Sequence, residues 1–151
     1  MPNYNLKLSA ILLFSILGIF IIDQNIKIIF IDGFRYYTHC IDLILVYNKG
    51  VAFSMFEFLA QYLKYIQLVM VFGILIYIFY LKKLCYALPS GILLGGAFSN
   101  IYDRFIHNGV VDMVYWHCGF NFAVFNFADV MIDLAVVWIL ILNFKPHLCK
   151  S

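Results

Sequence analysis

Asp103, Arg104, Asp112 and Asp129 stand within residues 95–129, GGAFSNIYDRFIHNGVVDMVYWHCGFNFAVFNFAD, between apolar runs long enough to be embedded in a membrane. An ionised carboxyl facing hydrocarbon is costly unless it is paired, hydrated or neutralised by a raised pKa, so an intramembrane acid marks a functional site by default. Asp112 and Asp129 form the leading pair. The segment between them, VYWHCGFNFAVF, is rich in aromatic and β-branched residues and carries Gly119 at its middle. That composition predicts a short hairpin, which brings its two ends together. Two carboxyls held close cannot both ionise; one takes a proton from water while the other donates to a carbonyl oxygen, which is the chemistry of an aspartyl hydrolase. Asn126, three residues before Asp129, offers an amide to hold a carboxyl. Asn100, Asp103 and Arg104 form a second polar cluster, in which a structural Arg104–Asp103 pair is the favoured reading, since buried charges are usually paired. Spacing alone does not separate Asp112 from Asp103 as the partner of Asp129.

These residues need a membrane scaffold to position them. Of 151 residues, 65% are hydrophobic and only 12% charged, half the charged share of an ordinary soluble domain, so the chain reads as a polytopic α-helical membrane protein. A formal net charge of +2 with scattered Lys and Arg excludes nucleic-acid binding. Four spans are predicted, over about 7–29, 62–81, 86–106 and 128–144, in a single membrane-embedded domain covering 1–151. The first apolar run, Leu8 to Ile22, meets Asp23-Gln24-Asn25-Ile26-Lys27 rather than a cleavage site, and reads as a retained helix in which Asp23 pairs with Lys27 at i+4. Lys7, Lys82, Lys83, Lys145 and Lys150 lie in short loops and tails on one side, which the positive-inside rule makes cytoplasmic, with both termini there. The remaining loops form an outer cap over about 32–60, with a strand from Ile41 to Tyr47 and an amphipathic piece from Ala52 to Tyr62, and an outer hairpin over about 110–126. Gly91, Gly95 and Gly96 give the third span a small-residue stripe for close approach of a neighbour.

Taken together, Gly95-Gly96-Ala97 with Asn100-x-x-Asp103-Arg104, then Val110-Val111-Asp112, then Phe125-Asn126-x-Ala128-Asp129, resemble bacterial lipoprotein signal peptidase, the signal peptidase II family. Asp23-Gln24-x-x-Lys27 and Asn48-x-Gly50-x-Ala52-Phe53-Ser54 extend the resemblance, in the family's order, from the first span to the fourth. The resemblance implies an aspartyl endopeptidase of the bacterial inner membrane, with four transmembrane helices, a small β-cradle and a periplasmic amphipathic helix. Its substrates would be prolipoproteins bearing a diacylglyceryl group on the lipobox Cys, cut just before that Cys near the periplasmic face. By position, Asp112 and Asp129 are then the catalytic dyad, and Asn48, Gly50, Asn100, Asp103, Arg104, Asn126, Ala128 and Asp23 bind substrate or support the site. Membrane lipids and the inhibitor globomycin are the other expected partners, with no cofactor, no metal, no nucleic acid and a monomeric state.

Some residues depart from that pattern. Asn48-Lys49-Gly50-Val51 carries larger residues than the family's usual ones, and Asp133 shares a helix face with Asp129 where relatives carry apolar or small residues. His39-Cys40 and His117-Cys118 have the wrong spacing for most zinc sites. Free thiols are the expectation at Cys40 and Cys118, with a disulfide between them as the alternative, and Cys85 and Cys149 are expected to be reduced in the cytoplasm. The alternative function is a small proton-coupled channel or transporter, which would spread its acids through the membrane depth.

Overall fold

The computed structural model describes residues 2–50 and 60–149. Helices α1 (Pro2–Ile31), α2 (Ala60–Leu81), α3 (Ala87–Ile106) and α4 (Phe127–Phe144) are each long and apolar enough to cross a membrane. Strands β1 (Tyr36–Tyr37), β2 (Ile41–Asn48) and β3 (Val110–Trp116) form an antiparallel sheet in the order β1-β2-β3. The sheet, the C-terminal ends of α1 and α3, and the first turn of α4 all lie at one end of the bundle, while both chain termini leave from the other. The amphipathic piece expected over Ala52 to Tyr62 lies outside the described residues except at 60–62, which open α2.

α3 is the central helix. Half of its span is buried inside the protein, against 17% for each of the other three, whose outward faces present Leu, Ile, Val and Phe to lipid. Its glycines explain how neighbours come so near. A Cβ on Gly95 would stand 2.8 Å from the carbonyl oxygen of Ile16 in α1, and one on Gly96 would stand 2.9 Å from that of Ala128 in α4. Both separations are below what real Cβ atoms tolerate, so α3 can carry no side chain at these two points. Leu8 and Leu12 of α1, Val71 and Ile78 of α2, and Leu94 and Ile101 of α3 fill the bundle core. Phe30, Val111 and Met113 form a smaller core beneath the sheet.

Two departures from expectation concern the sheet and the cysteines. The arm 110–116 does not make its main pairing within a local hairpin; β3 pairs along β2, with Val46 opposite Asp112 and Asn48 opposite Val110. The returning segment closes on β3 without forming a strand of its own: Phe125 exchanges backbone hydrogen bonds with Val114, its carbonyl oxygen also accepts from Met113 N–H, and Phe122 N–H donates to the Trp116 carbonyl oxygen at 2.9 Å. A strand has two edges, so β2 lies along one edge of β3 and the return segment closes on the other, as Val114 shows by facing Leu43 on one side and Phe125 on the other. Second, free thiols are absent among the described residues, because Cys40 is bonded to Cys118 and Cys85 to Cys149. The β2–β3 register sets Ile41 opposite Trp116 and thereby brings Cys40 beside Cys118. The 3₁₀ turn Leu84–Tyr86 and the end of the chain meet at the opposite end of the bundle, which places Cys85 against Cys149.

Candidate active site

Asp112 sits two residues into β3, and the turn before it sets its position. His107 caps the end of α3, Asn108 takes the left-handed conformation (φ 57°) that Asn tolerates after a helix, and Gly109 runs so close to β2 that a Cβ would lie 3.1 Å from the Asn48 carbonyl oxygen. Asp129 sits in the first turn of α4. Asn126 is the N-cap: its side chain accepts from the Asp129 N–H at 2.9 Å, and the Asp129 carboxylate accepts from the Asn126 N–H at 3.1 Å, a reciprocal capping box.

Three asparagine amides then hold the two carboxyls. Asn126 Nδ2 donates to Asp112 Oδ1 at 2.7 Å and Asn48 Nδ2 donates to Asp112 Oδ2 at 3.0 Å. Asn100 Nδ2 donates to Asp129 Oδ1 at 2.8 Å, and Asn126 Nδ2 also reaches Asn100 Oδ1 at 3.1 Å. Every carboxyl oxygen of the pair therefore has a donor. Asp112 is only 2% exposed, and burial, reinforced by the charge of Asp129, pushes its pKa up to about 7; the amides of Asn48 and Asn126 and the Lys27 charge oppose that rise.

Beneath the pair lies a buried ion cluster. Lys27 Nζ stands 2.6 Å from Asp23 and 2.6 Å from Asp103, and donates to Asn100 Oδ1 at 2.9 Å. Ser99 donates to Asp23, and Gln24 donates to both Ser99 and Asp103. The two acids also hold backbone next to the candidate dyad, Asp103 through the same oxygen that faces Lys27 and Asp23 through its other one. Asp103 accepts from Val111 N–H (3.1 Å), the residue before Asp112, and Asp23 accepts from Ala128 N–H (2.8 Å), the residue before Asp129. A single buried lysine thus ties α1 to α3 and, through two carboxylates, to the backbone that carries each acid.

The structure brings together Asn48, Asn100, Asp112 and Asp129 around one cavity of about 560 Å³, with Arg104 also on its wall and Asn126 fully buried behind the two acids. Asp23, Asp103 and Ala128 are fully buried behind it. The expected Arg104–Asp103 pair does not form: Asp103 turns toward Lys27 of α1, and Arg104 donates to the carbonyl oxygens of Lys49 (3.4 Å) and Gly50 (2.5 Å). Side chains one residue apart on a helix diverge by about 100°, so Asp103 and Arg104 serve different neighbours. The Asp23–Lys27 pair is present, but the local i+4 spacing did not disclose that Lys27 also binds Asp103 and Asn100. Ser99 and Gln67 were not singled out either; single polar residues in apolar helices were the available signal.

Comparison with known proteins shows the family and the fold. The family signal peptidase (SPase) II matches residues 15–145. The lipoprotein signal peptidase of Sulfurimonas denitrificans is 73% identical over 151 residues, covering 100% of this chain and 99% of the relative. That of Sulfurovum sp. is 62% identical over 136 residues, covering 88% and 92%. A bacterial membrane enzyme solved by the in meso method at 2.3 Å has the same fold, with a TM-score of 0.79 at 21% identity over 93% of this chain and 91% of that one. The chain belongs to the signal peptidase II family.

Proposed function

We propose that this single membrane-embedded peptidase domain removes the signal peptide from diacylglyceryl-modified prolipoproteins, cutting just before the lipidated Cys, with Asp112 and Asp129 as the catalytic dyad. The observation that carries the assignment is two carboxyls on one cavity wall, linked through Asn126 and each fixed by amide donors. With one proton between them, the ionised member takes a proton from a water molecule as that water attacks the scissile carbonyl. The protonated member donates to the carbonyl oxygen as the tetrahedral intermediate forms. Collapse of the intermediate passes a proton to the Cys amine and restores the singly protonated pair. Asn100, Asn126 and Asn48 orient the carboxyls; Arg104 steadies the Lys49–Gly50 segment after β2, beside the cavity; Asp23 and Asp103 hold the backbone at Ala128 and Val111.

The enzyme is a monomer of the bacterial inner membrane, surrounded by lipid, with both termini cytoplasmic and the dyad near the periplasmic face. Short lysine-bearing loops and tails at the end of the bundle opposite the dyad support that orientation, in which a reducing cytoplasm would keep Cys85 and Cys149 as neighbouring thiols. A proton-coupled channel is the weaker reading, because Asp23, Asp103, Asp112 and Asp129 gather at one end of the bundle rather than lining a path through it. The test is incubation of the purified protein with diacylglyceryl-modified and unmodified prolipoprotein, with and without globomycin. Cleavage of the modified form alone, stopped by globomycin, is the expected result; equal cleavage of both forms, or of neither, would refute the assignment.

A further inference from the structure

Asp133 and Gln67 are polar side chains on lipid-spanning helices that the dyad does not use, and both line the same cavity as Asp112 and Asp129. Gln67 Oε1 is buried and has no hydrogen-bond partner among the described residues. Among the described residues Asp133 makes neither a hydrogen bond nor an ion pair, and it stands one helical turn further along α4 from the dyad end than Asp129. α2 and α4, which carry the two residues, each pack on α3 rather than extensively on each other, and both contribute to the cavity wall. Ile132 and Leu134 make the rest of that wall apolar.

A peptide bond can reach the dyad only if the substrate's membrane helix unwinds ahead of the cut, and unwinding strips backbone N–H groups of their helical partners. In lipid an unpartnered N–H is strongly unfavourable because no water can take its hydrogen bond, so a cleavable segment needs acceptors supplied by the enzyme. Four residues of helix separate Asp129 from Asp133, about 6 Å of rise, and an extended chain covers about 3.3 Å per residue. Asp133 therefore lies level with the second or third residue before the scissile bond. From this we infer that Gln67 and Asp133 form a backbone-binding subsite, whose acceptor oxygens take the N–H groups of the unwound signal segment two to three residues ahead of the cut. The subsite reads main chain rather than side chain, which suits an enzyme that must accept signal segments of differing apolar sequence. This inference rests on the peptidase reading above.

The test uses the full-length protein and a synthetic diacylglyceryl-modified precursor in which the amide contributed by the second or the third residue before the cut is replaced by an ester, removing one N–H. Cleavage of the all-amide precursor by the unaltered enzyme checks the peptidase reading separately; if it is not cleaved, that reading fails and the subsite falls with it. The unaltered enzyme should lose about tenfold in kcat/KM at one of the two ester positions, the size of one hydrogen bond. Gln67→Leu and Asp133→Leu should cleave the amide precursor more slowly and no longer distinguish it from the ester, whereas Asp133→Asn, which keeps an acceptor oxygen, should still distinguish them. Equal cleavage of amide and ester by the unaltered enzyme, or undiminished discrimination by both leucine variants, would overturn the inference.

Discussion

Asn126 Nδ2 lies 2.7 Å from Asp112 Oδ1 while the backbone N–H of the same asparagine donates to Asp129. One residue thus spans the two acids, and its position as the N-cap of α4 makes the start of that helix part of the site. Replacing Asn126 by Ala removes a cap costing about 1 kcal/mol and the amide on Asp112 together. Thermal unfolding should register the first loss as a modest fall in melting temperature. Activity should fall by a larger factor than that stability loss explains.

The raised pKa of Asp112 gives a pH dependence with a definite sign. Its folded-state value of about 7 lies above the ordinary carboxyl value, so the folded protein holds this proton more tightly than the unfolded chain does. Asp112 therefore adds stability fully below about pH 4, and that contribution is lost as pH rises through about 7. Melting temperature measured from pH 4 to 8 should fall less steeply in Asp112→Asn than in the unaltered protein. Activity that needs one shared proton should likewise decline on the alkaline side of about 7, read as kcat/KM against pH.

Lys27 has almost no exposure and two carboxylates to neutralise. Lys27→Met leaves Asp23 and Asp103 buried without their cation and should cost about 3–5 kcal/mol of stability. The triple variant Lys27→Met, Asp23→Asn, Asp103→Asn removes all three charges while keeping an acceptor for Val111 and Ala128 N–H. Its melting temperature should recover a large part of the loss.

Gly96 faces the carbonyl oxygen of Ala128 with no room for a Cβ. Gly96→Val must push α4 from α3 and carry Asp129 with it, at a cost of about 1–3 kcal/mol for overpacking. Cleavage should fall steeply although the four spans still insert. A valine at Gly73, where nothing lies within 4 Å of the added Cβ, is the matched control and should leave the helix packing unchanged.

How far the sequence disclosed this arrangement depended on the range of each interaction. The four helices and the acids among them were legible because hydropathy and a carboxyl in an apolar run are local signals, but spacing alone did not separate Asp112 from Asp103 as the partner of Asp129. Asn126 was legible for the same reason, standing three residues ahead of the acid it caps. Gly95 and Gly96 announced a close approach without naming the partners, which proved to be α1 and α4. Contacts across the fold were hidden. The aromatic run after Asp112 reads as a hairpin, but nothing local shows that β3 also pairs along β2, and Asp103 next to Arg104 reads as a pair until Lys27, 76 positions earlier, takes the carboxylate. The cysteine pairings depended on strand register and on which helix ends meet, neither of which composition encodes.

Cleavage of a diacylglyceryl-modified prolipoprotein by the purified single variants Asp112→Asn and Asp129→Asn, each shown by its melting profile to be folded, tests the dyad most directly. Each variant should lose turnover to the detection limit, while Asp133→Asn, one turn away on the same helix, keeps a measurable rate. Turnover retained by a folded Asp112→Asn or Asp129→Asn enzyme would contradict the two-carboxyl mechanism.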